Sequence, residues 1–301
     1  MKSRSFAALR MTLVFCCLAG RVFAPMAASA QTPTQQDALA LEQQGRTAEA
    51  AQIWSDIVQH DSRNAEALAH LGLIEARQQH YAEAISYYRR ALALEPVFPG
   101  LQMNLGLALF KTDQFGGAAD VFRAELEKHP GDPRLITLLG MAHYAMGDYL
   151  VAIPYLQRAT ASDPQNVALR KALAHSCLWS EQYACVVKAA QEILAQTPAD
   201  AEAAVLSGEG LGAEDKATAA IEQFRAAVRA NPSQPDAHLG LGYLLWADGQ
   251  YAEAVAEFQS ELGINPSNAE ARTYLDAATG RKKPDQPFIQ VMPGAQPPAQ
   301  P

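Results

Sequence analysis

The sequence is short of the residues that usually announce chemistry. Of 301 residues only four are cysteine, and Cys16 and Cys17 fall within the first twenty positions. No His-Glu-x-x-His, P-loop lysine motif, Gly-x-Ser-x-Gly or Cys-x-x-Cys occurs, so the common metallohydrolase, nucleotide, serine-hydrolase and dithiol signatures are missing. Basic residues are also scarce: 24 Lys and Arg face 32 Asp and Glu, a formal charge of −8. A nucleic-acid binder carries a basic footprint, and none is visible here. No apolar run of about 20 residues escapes interruption by a charge, which excludes a multi-spanning membrane protein. Aromatics make up only 8% of the chain, while alanine is abundant. Alanine favours helices intrinsically and lets them pack closely, so an all-helical fold is the first expectation.

The first thirty residues read as a secretory signal peptide. Lys2, Arg4 and Arg10 precede an apolar stretch from Met11 to Gly20, and Ala28-Ser29-Ala30 provides an A-x-A end before Gln31. The apolar stretch is too short to span a bilayer. Removing this segment takes away four basic residues and no acidic one, so the formal charge falls from −8 to −12. Such a charge keeps a chain soluble and disfavours anionic partners. The expected location is the periplasm or the outside of the cell.

A period of 34 runs through what remains. Ala38, Gly72, Gly106, Gly140, Ala174, Gly208 and Gly242 stand 34 apart. Twelve residues after each come Ala50, Ala84, Ala118, Ala152, Val186, Ala220 and Ala254. Four further on lie Trp54, Tyr88, Phe122, Leu156, Ala190, Phe224 and Phe258, and then Ser62, Pro96, Pro130, Pro164, Pro198, Pro232 and Pro266. Seven units keep step without an insertion or deletion. Within residues 65–98, Leu68, Leu71 and Gly72 mark the face of one helix, and Tyr81, Ala84, Ile85, Tyr88 and Ala91 that of a second. Small residues at Gly72 and Ala84 allow two helices to cross closely. Pro96 ends the second helix and turns the chain into the next unit. Each pair has apolar residues left on both sides, and stacking on neighbours is the remedy.

This pattern resembles the tetratricopeptide repeat: a large residue, then Leu-Gly, then Ala-x3-Phe, then Pro, in 34 residues. The resemblance implies an all-α, right-handed superhelical solenoid of helix-turn-helix units at 31–64, 65–98, 99–132, 133–166, 167–200, 201–234 and 235–268. Residues 269–280, with Ala271, Tyr274, Leu275 and Ala278, read as a helix capping the last unit. Residues 281–301 hold six prolines and no helical pattern, so they read as a disordered tail. Their apolar island, Phe288, Ile289, Val291 and Met292, allows a second reading as a docking segment or as a strap folding back into the groove. Pro154 falls inside the second helix of its unit and should bend it.

Candidate chemistry is sparse. Gly208, Gly210 and Gly212 follow no strand, so they weaken a helix or form a local hinge rather than cradle a phosphate. His60, His70 and His80 are ten apart, and His143 with His175 lacks an evident third ligand, so no metal site is expected. No cofactor is expected either. Cys177 and Cys185 lie on either side of one internal turn. Two buried thiols are the simpler reading and a disulfide the alternative, since spacing alone does not fix geometry.

In the resembling family, positions 2, 5, 9, 12 and 13 of each unit line a concave groove. Carried onto this chain, they include Leu73, Arg77, Met103, Leu107, Phe110, Lys111, Thr137, Met141, Tyr144, Lys171, His175, Trp179, Leu239, Tyr243 and Trp246. Met, Phe, Tyr and Trp are types enriched at binding hot spots. A carboxylate clamp is incomplete here, because Ala69 and Leu73 stand where Lys and Asn would be needed, ahead of Asn104 and Arg134. The expected function is non-enzymatic: a protein or peptide partner, presenting an apolar or amphipathic segment, bound in the groove within the cell envelope. The alternatives are a thiol-redox or enzyme-accessory role centred on Cys177 and Cys185, and self-assembly through the open repeat faces.

Overall fold

Helices of nine to fourteen residues with an apolar face can bury that face only against neighbours in the stack. The computed structural model, which describes residues 34–280, shows such a stack. Its helices are α1 Gln35–Gln43, α2 Thr47–His60, α3 Ala65–Arg77, α4 Tyr81–Leu94, α5 Leu101–Lys111, α6 Phe115–Lys128, α7 Pro133–Met146, α8 Tyr149–Ser162, α9 Val167–Trp179, α10 Tyr183–Gln196, α11 Ala201–Ala213, α12 Ala217–Ala230, α13 Ala237–Ala247, α14 Tyr251–Ile264 and α15 Ala269–Thr279. There is no strand among the described residues. The fold is all-α, as the 34-residue period implies: α1 to α14 form seven consecutive hairpins, and α15 packs on α14. The leader (1–30) and the tail (281–301) lie outside the described residues.

Where the first helix of a unit carries a glycine, that glycine faces the large residue of the second helix. A Cβ added to Gly106 would lie 2.4 Å from Phe122, one on Gly72 2.5 Å from Tyr88, and one on Gly208 2.7 Å from Phe224. Trp54, Tyr88, Phe122, Leu156, Phe224 and Phe258 are all fully buried. Tyr88 keeps its hydroxyl without a hydrogen-bond partner, and burial pushes its pKa up to about 12.

Two kinds of joint repeat along the array. Inside each hairpin, the fifteenth residue of the unit takes a left-handed conformation: Gly45, Gln79, Asp113, Gly147, Glu181, Asp215 and Gly249. The next residue's N–H then donates back five residues, as from His80 to the Glu75 carbonyl and from Gln182 to that of Cys177. This bond closes the end of the first helix. Between hairpins, Asn64, Asp132, Asn166, Asp200 and Asn268 cap the following helix, their side chains accepting from its first-turn N–H groups. The helices α5 and α13 depart from this. Pro99 and Pro235 displace the start, Gly100 and Asp236 take φ of 73° and 64°, and both helices shorten to 11 residues.

Two expectations need correction or refinement. Through its glycines α11 is a regular helix, and eleven of its residues are buried. A Cβ on Gly210 would lie 2.9 Å from Val187 and 3.3 Å from the Tyr183 carbonyl, so this glycine serves the close approach of α10. At Pro154 α8 runs through without a break.

Candidate functional site

The tetratricopeptide resemblance assigns the inner wall to the first helix of each unit. Along α3 to α9 that wall is partly open: Leu73, Met103, Phe110, Met141, Tyr144, Lys171, His175 and Trp179 are half-buried, and Arg77 and Leu107 are exposed. Met103 and Leu107 from α5, Thr137 and Leu138 from α7, and Leu169 from α9 line a largely apolar cavity of about 560 Å³. Arg134, Asp163 and Asn166 stand among its lining residues. A cavity of this size and polarity suits one or two apolar side chains of a bound segment.

One unit further on, aromatic rings gather. Trp179 stacks on Tyr144 at 6.0 Å and on His175 at 5.0 Å, and Tyr149 lies 4.6 Å from Trp179. Beside them runs a charged network. Lys171 Nζ lies 2.7 Å from Glu202 and 3.0 Å from Asp200, and His175 Nε2 is 3.0 Å from Glu202. The hydrogen bond with His175, and then Lys171, holds the Glu202 carboxyl down at about 2. Burial raises the Tyr144 phenol. Tyr149 and Glu202 were not singled out from the sequence. Glu202 does occupy position 2 of its unit, so the register alone could have found it.

The last two units differ. Tyr243 and Trp246, expected on the open wall, are each only 3% exposed. Their rings pack edge-on to each other at 5.6 Å, and Tyr274 of α15 lies 5.7 Å from Tyr243 and 5.5 Å from Trp246. Trp246 also meets Phe258. These two residues belong to a buried aromatic cluster in which Tyr274 of the capping helix is a third ring. Cutting Tyr243 to alanine would therefore unsettle packing as well as any binding surface.

Cys177 and Cys185 form a disulfide between α9 and α10, with Cα atoms 5.8 Å apart. The two-thiol reading is thereby corrected: the crossing of the hairpin brings the pair within bridging reach. Cys177 is fully buried and Cys185 half-buried, and the bridge ties α9 to α10. By the chain-entropy account, a loop this short contributes about 2–3 kcal/mol. The Cys177→Ala, Cys185→Ala double variant should lose about 2 kcal/mol in urea melts, and reductant should destabilise the parent by the same amount. Insensitivity of the parent to reductant would remove the bridge from the stability of this hairpin.

His143 is held by Asp148 at 3.3 Å and stacks near Tyr155, while His175 belongs to the Glu202 network. Among the described residues no group of His, Cys, Asp and Glu is arranged to hold a metal, and no helix is long and apolar enough to cross a membrane.

A file of stacked helix hairpins with a half-open apolar inner wall defines a helical-repeat scaffold, a class whose concave surfaces carry partners. The chain belongs to the tetratricopeptide repeat family: the family's models match residues 37–96, 71–133 and 208–269, and residues 143–207. Protein O-mannosyl-transferase TMTC1 of Mus musculus is 28% identical over 134 residues, 43% of this chain and 14% of that protein. The peroxisomal targeting signal receptor of Kluyveromyces lactis is 32% identical over 108 residues, 36% of this chain and 19% of the receptor. The chain thus spans less than a fifth of either relative. Among solved structures, the C-terminal part of a TPR repeat-containing protein of Cytophaga hutchinsonii superposes with a TM-score of 0.61 at 14% identity, covering 80% of this chain and 99% of that one. YrrB, described as a TPR protein with an unusual peptide-binding site, gives 0.53 at 17% identity over 61% of this chain and 95% of its own. At these identities the likeness is one of fold.

Proposed function

We propose that this protein is a non-enzymatic, exported scaffold that binds an amphipathic peptide segment of a partner protein along the inner wall of α5, α7 and α9. The observation that carries the reading is the cavity beside Met103 and Leu107, on the same wall as the Tyr144 and Trp179 rings. Apolar side chains of the segment enter the cavity and lie against the rings, and Lys171 and Glu202 offer polar contacts at the edge. Aromatic anchors flanked by a polar rim are what a binding surface needs. The N-terminal leader supports export, and the disulfide between Cys177 and Cys185 suits an oxidising compartment of the envelope.

The test is a peptide selection on the purified chain by phage display. Selected amphipathic peptides should lose at least about tenfold in affinity, roughly 1.4 kcal/mol, on Leu107→Ala and on Trp179→Ala. Helical content should stay at the parent level. Peptides that bind both variants as tightly as the parent would sink the groove.

A further inference from the structure

A second cavity, of about 540 Å³, is lined by the second helices α8 and α10 together with Arg170 and Leu173 of α9. A cavity of this size holds a small molecule. Its α10 side is made by Cys185, Lys188, Ala189 and Glu192, whose spacing of three, four and seven puts them on one stripe of the helix. Arg170 is buried, 6% exposed. Its Nε lies 2.9 Å from Glu192 Oε2, and its Nη1 donates at 2.6 Å to the Pro164 carbonyl. The carbonyl contact recurs along the array, from His238 to Pro232 and from Arg272 to Pro266, and it fixes the guanidinium in place. Lys188 is exposed and makes no ion pair among the described residues. Gln157 and Thr160 of α8 add neutral polar groups. Two cations thus face one carboxylate, a local positive surplus on a chain of formal charge −8.

The same cavity reaches the Cys177–Cys185 bridge from one side. Cys185 lines it and is half-buried, whereas Cys177 is fully buried and is not among the lining residues. A thiolate that enters the cavity therefore meets the Cys185 sulfur, and access decides which sulfur of a disulfide is attacked. Lys188, one turn beyond Cys185, favours the anionic form of an entering thiol and of any thiolate left at Cys185. The cavity offers two cations, one carboxylate, neutral hydrogen-bonding groups and a disulfide. Its complement is a small thiol that carries carboxylates for Arg170 and Lys188 and an ammonium for Glu192.

We infer that the cavity between α8 and α10 is a site for a low-molecular-weight thiol bearing carboxylates, and that Cys185 is the sulfur which that thiol modifies. The bound thiolate attacks Cys185 Sγ. The bond to Cys177 breaks, and its electron pair leaves with Cys177 Sγ, which takes up the proton the thiol released. The product is a mixed disulfide at Cys185 and a thiol at Cys177. A second thiolate attacks the incoming sulfur, carries it off as a small disulfide and leaves Cys185 reduced, so two small thiols are oxidised for one bridge opened. Burial makes Cys177 a poor leaving group and keeps it protonated afterwards. The first step is accordingly slow for a thiol that merely collides, and binding in the cavity supplies the proximity that speeds it. The chain is a reactant here and not a catalyst, and the inference stands apart from the groove reading.

The experiment incubates the purified chain, its bridge formed, with reduced glutathione, with glutathione diethyl ester or with β-mercaptoethanol at equal thiolate concentration. Intact mass reads the adduct and peptide mapping locates it. Glutathione should add once, at Cys185, about tenfold faster than its ester. S-methylglutathione, which cannot react, should slow attack by β-mercaptoethanol in a saturable way. Lys188→Gln should remove most of the preference for glutathione over the ester while the β-mercaptoethanol rate and the helical content stay at the parent level. Equal rates for glutathione and ester on the parent overturn the site, and this comparison needs no variant. An adduct at Cys177, or a chain that stays bridged with every thiol, overturns the thiolation. A preference that S-methylglutathione fails to block comes from charge steering at the surface, and that result overturns the cavity as its source.

Discussion

Replacing Phe122 with alanine is expected to cost about 4 kcal/mol and to split the thermal melt into two transitions. The ring is fully buried, in the second helix of the third unit, among Leu105, Leu109, Leu135 and Leu139. A large-to-small change there removes both transfer energy and packing, and the neighbouring backbone is too constrained to close the gap. The splitting follows from the architecture. Each unit touches only its neighbours, so a weak third unit disconnects the first two from the last four. Calorimetry or circular dichroism reads both effects. A single transition within a degree or two of the parent would show that the array does not depend on this lock. The facing residue supplies an independent arm. Gly106→Ala places a Cβ 2.4 Å from the ring, and overpacking of about 1–3 kcal/mol outweighs a gain of about 1 kcal/mol in helix propensity. Adding Phe122→Leu should recover part of that loss, since the fourth unit already seats Leu156 against Gly140. Failure of the pair to couple would dissociate the two positions.

The lock was legible in the sequence because it is a statement about size at fixed spacing. Gly or Ala at one position and a large residue sixteen further on recur in step, and hydrophobic burial writes such contacts directly into residue type. The left-handed joint was not legible. Its seven residues are Gly, Gln, Asp and Glu, with no shared chemistry, because the conformation is imposed by the backbone bond that closes the helix rather than by the side chain. The late starts of α5 and α13 had a signal in Pro99 and Pro235 that the even spacing concealed. For the site, the register named the right positions but not their environment. Tyr243 and Trp246 occupy inner-wall positions and are nonetheless buried, with Tyr274 of α15 against both rings. Glu202, Glu209 and Asp236 also stand at inner-wall positions. A search for apolar side chains passed over them, although buried carboxylates are the most informative feature of that end. The cysteine spacing left pairing open, because eight residues across a turn do not determine how two helices face each other.

Glu209→Gln is expected to raise the melting temperature at pH 8 by several degrees and to flatten the decline in stability between about pH 4.5 and 8. The Glu209 carboxyl stands at about 8 in the folded chain, against an ordinary value of 4.5. A raised carboxyl means that the folded state holds a proton which the unfolded state has released. Its contribution is therefore complete below pH 4.5 and is lost as pH climbs toward 8. Asp236, raised to about 6 by burial and then by Glu261 and Glu270, acts in the same direction over a lower window. Glu202 acts oppositely: held near 2, it stabilises above 4.5 and gives that up as pH falls through 2, with a smaller effect because it is half exposed. Stability should accordingly peak near pH 4–5 and fall on both sides. The glutamine keeps the shape and burial of Glu209 and never ionises, so it removes the alkaline slope and leaves the acid limb alone. Melting curves from pH 3 to 9 decide it; an unchanged alkaline slope in Glu209→Gln would place the titrating group elsewhere.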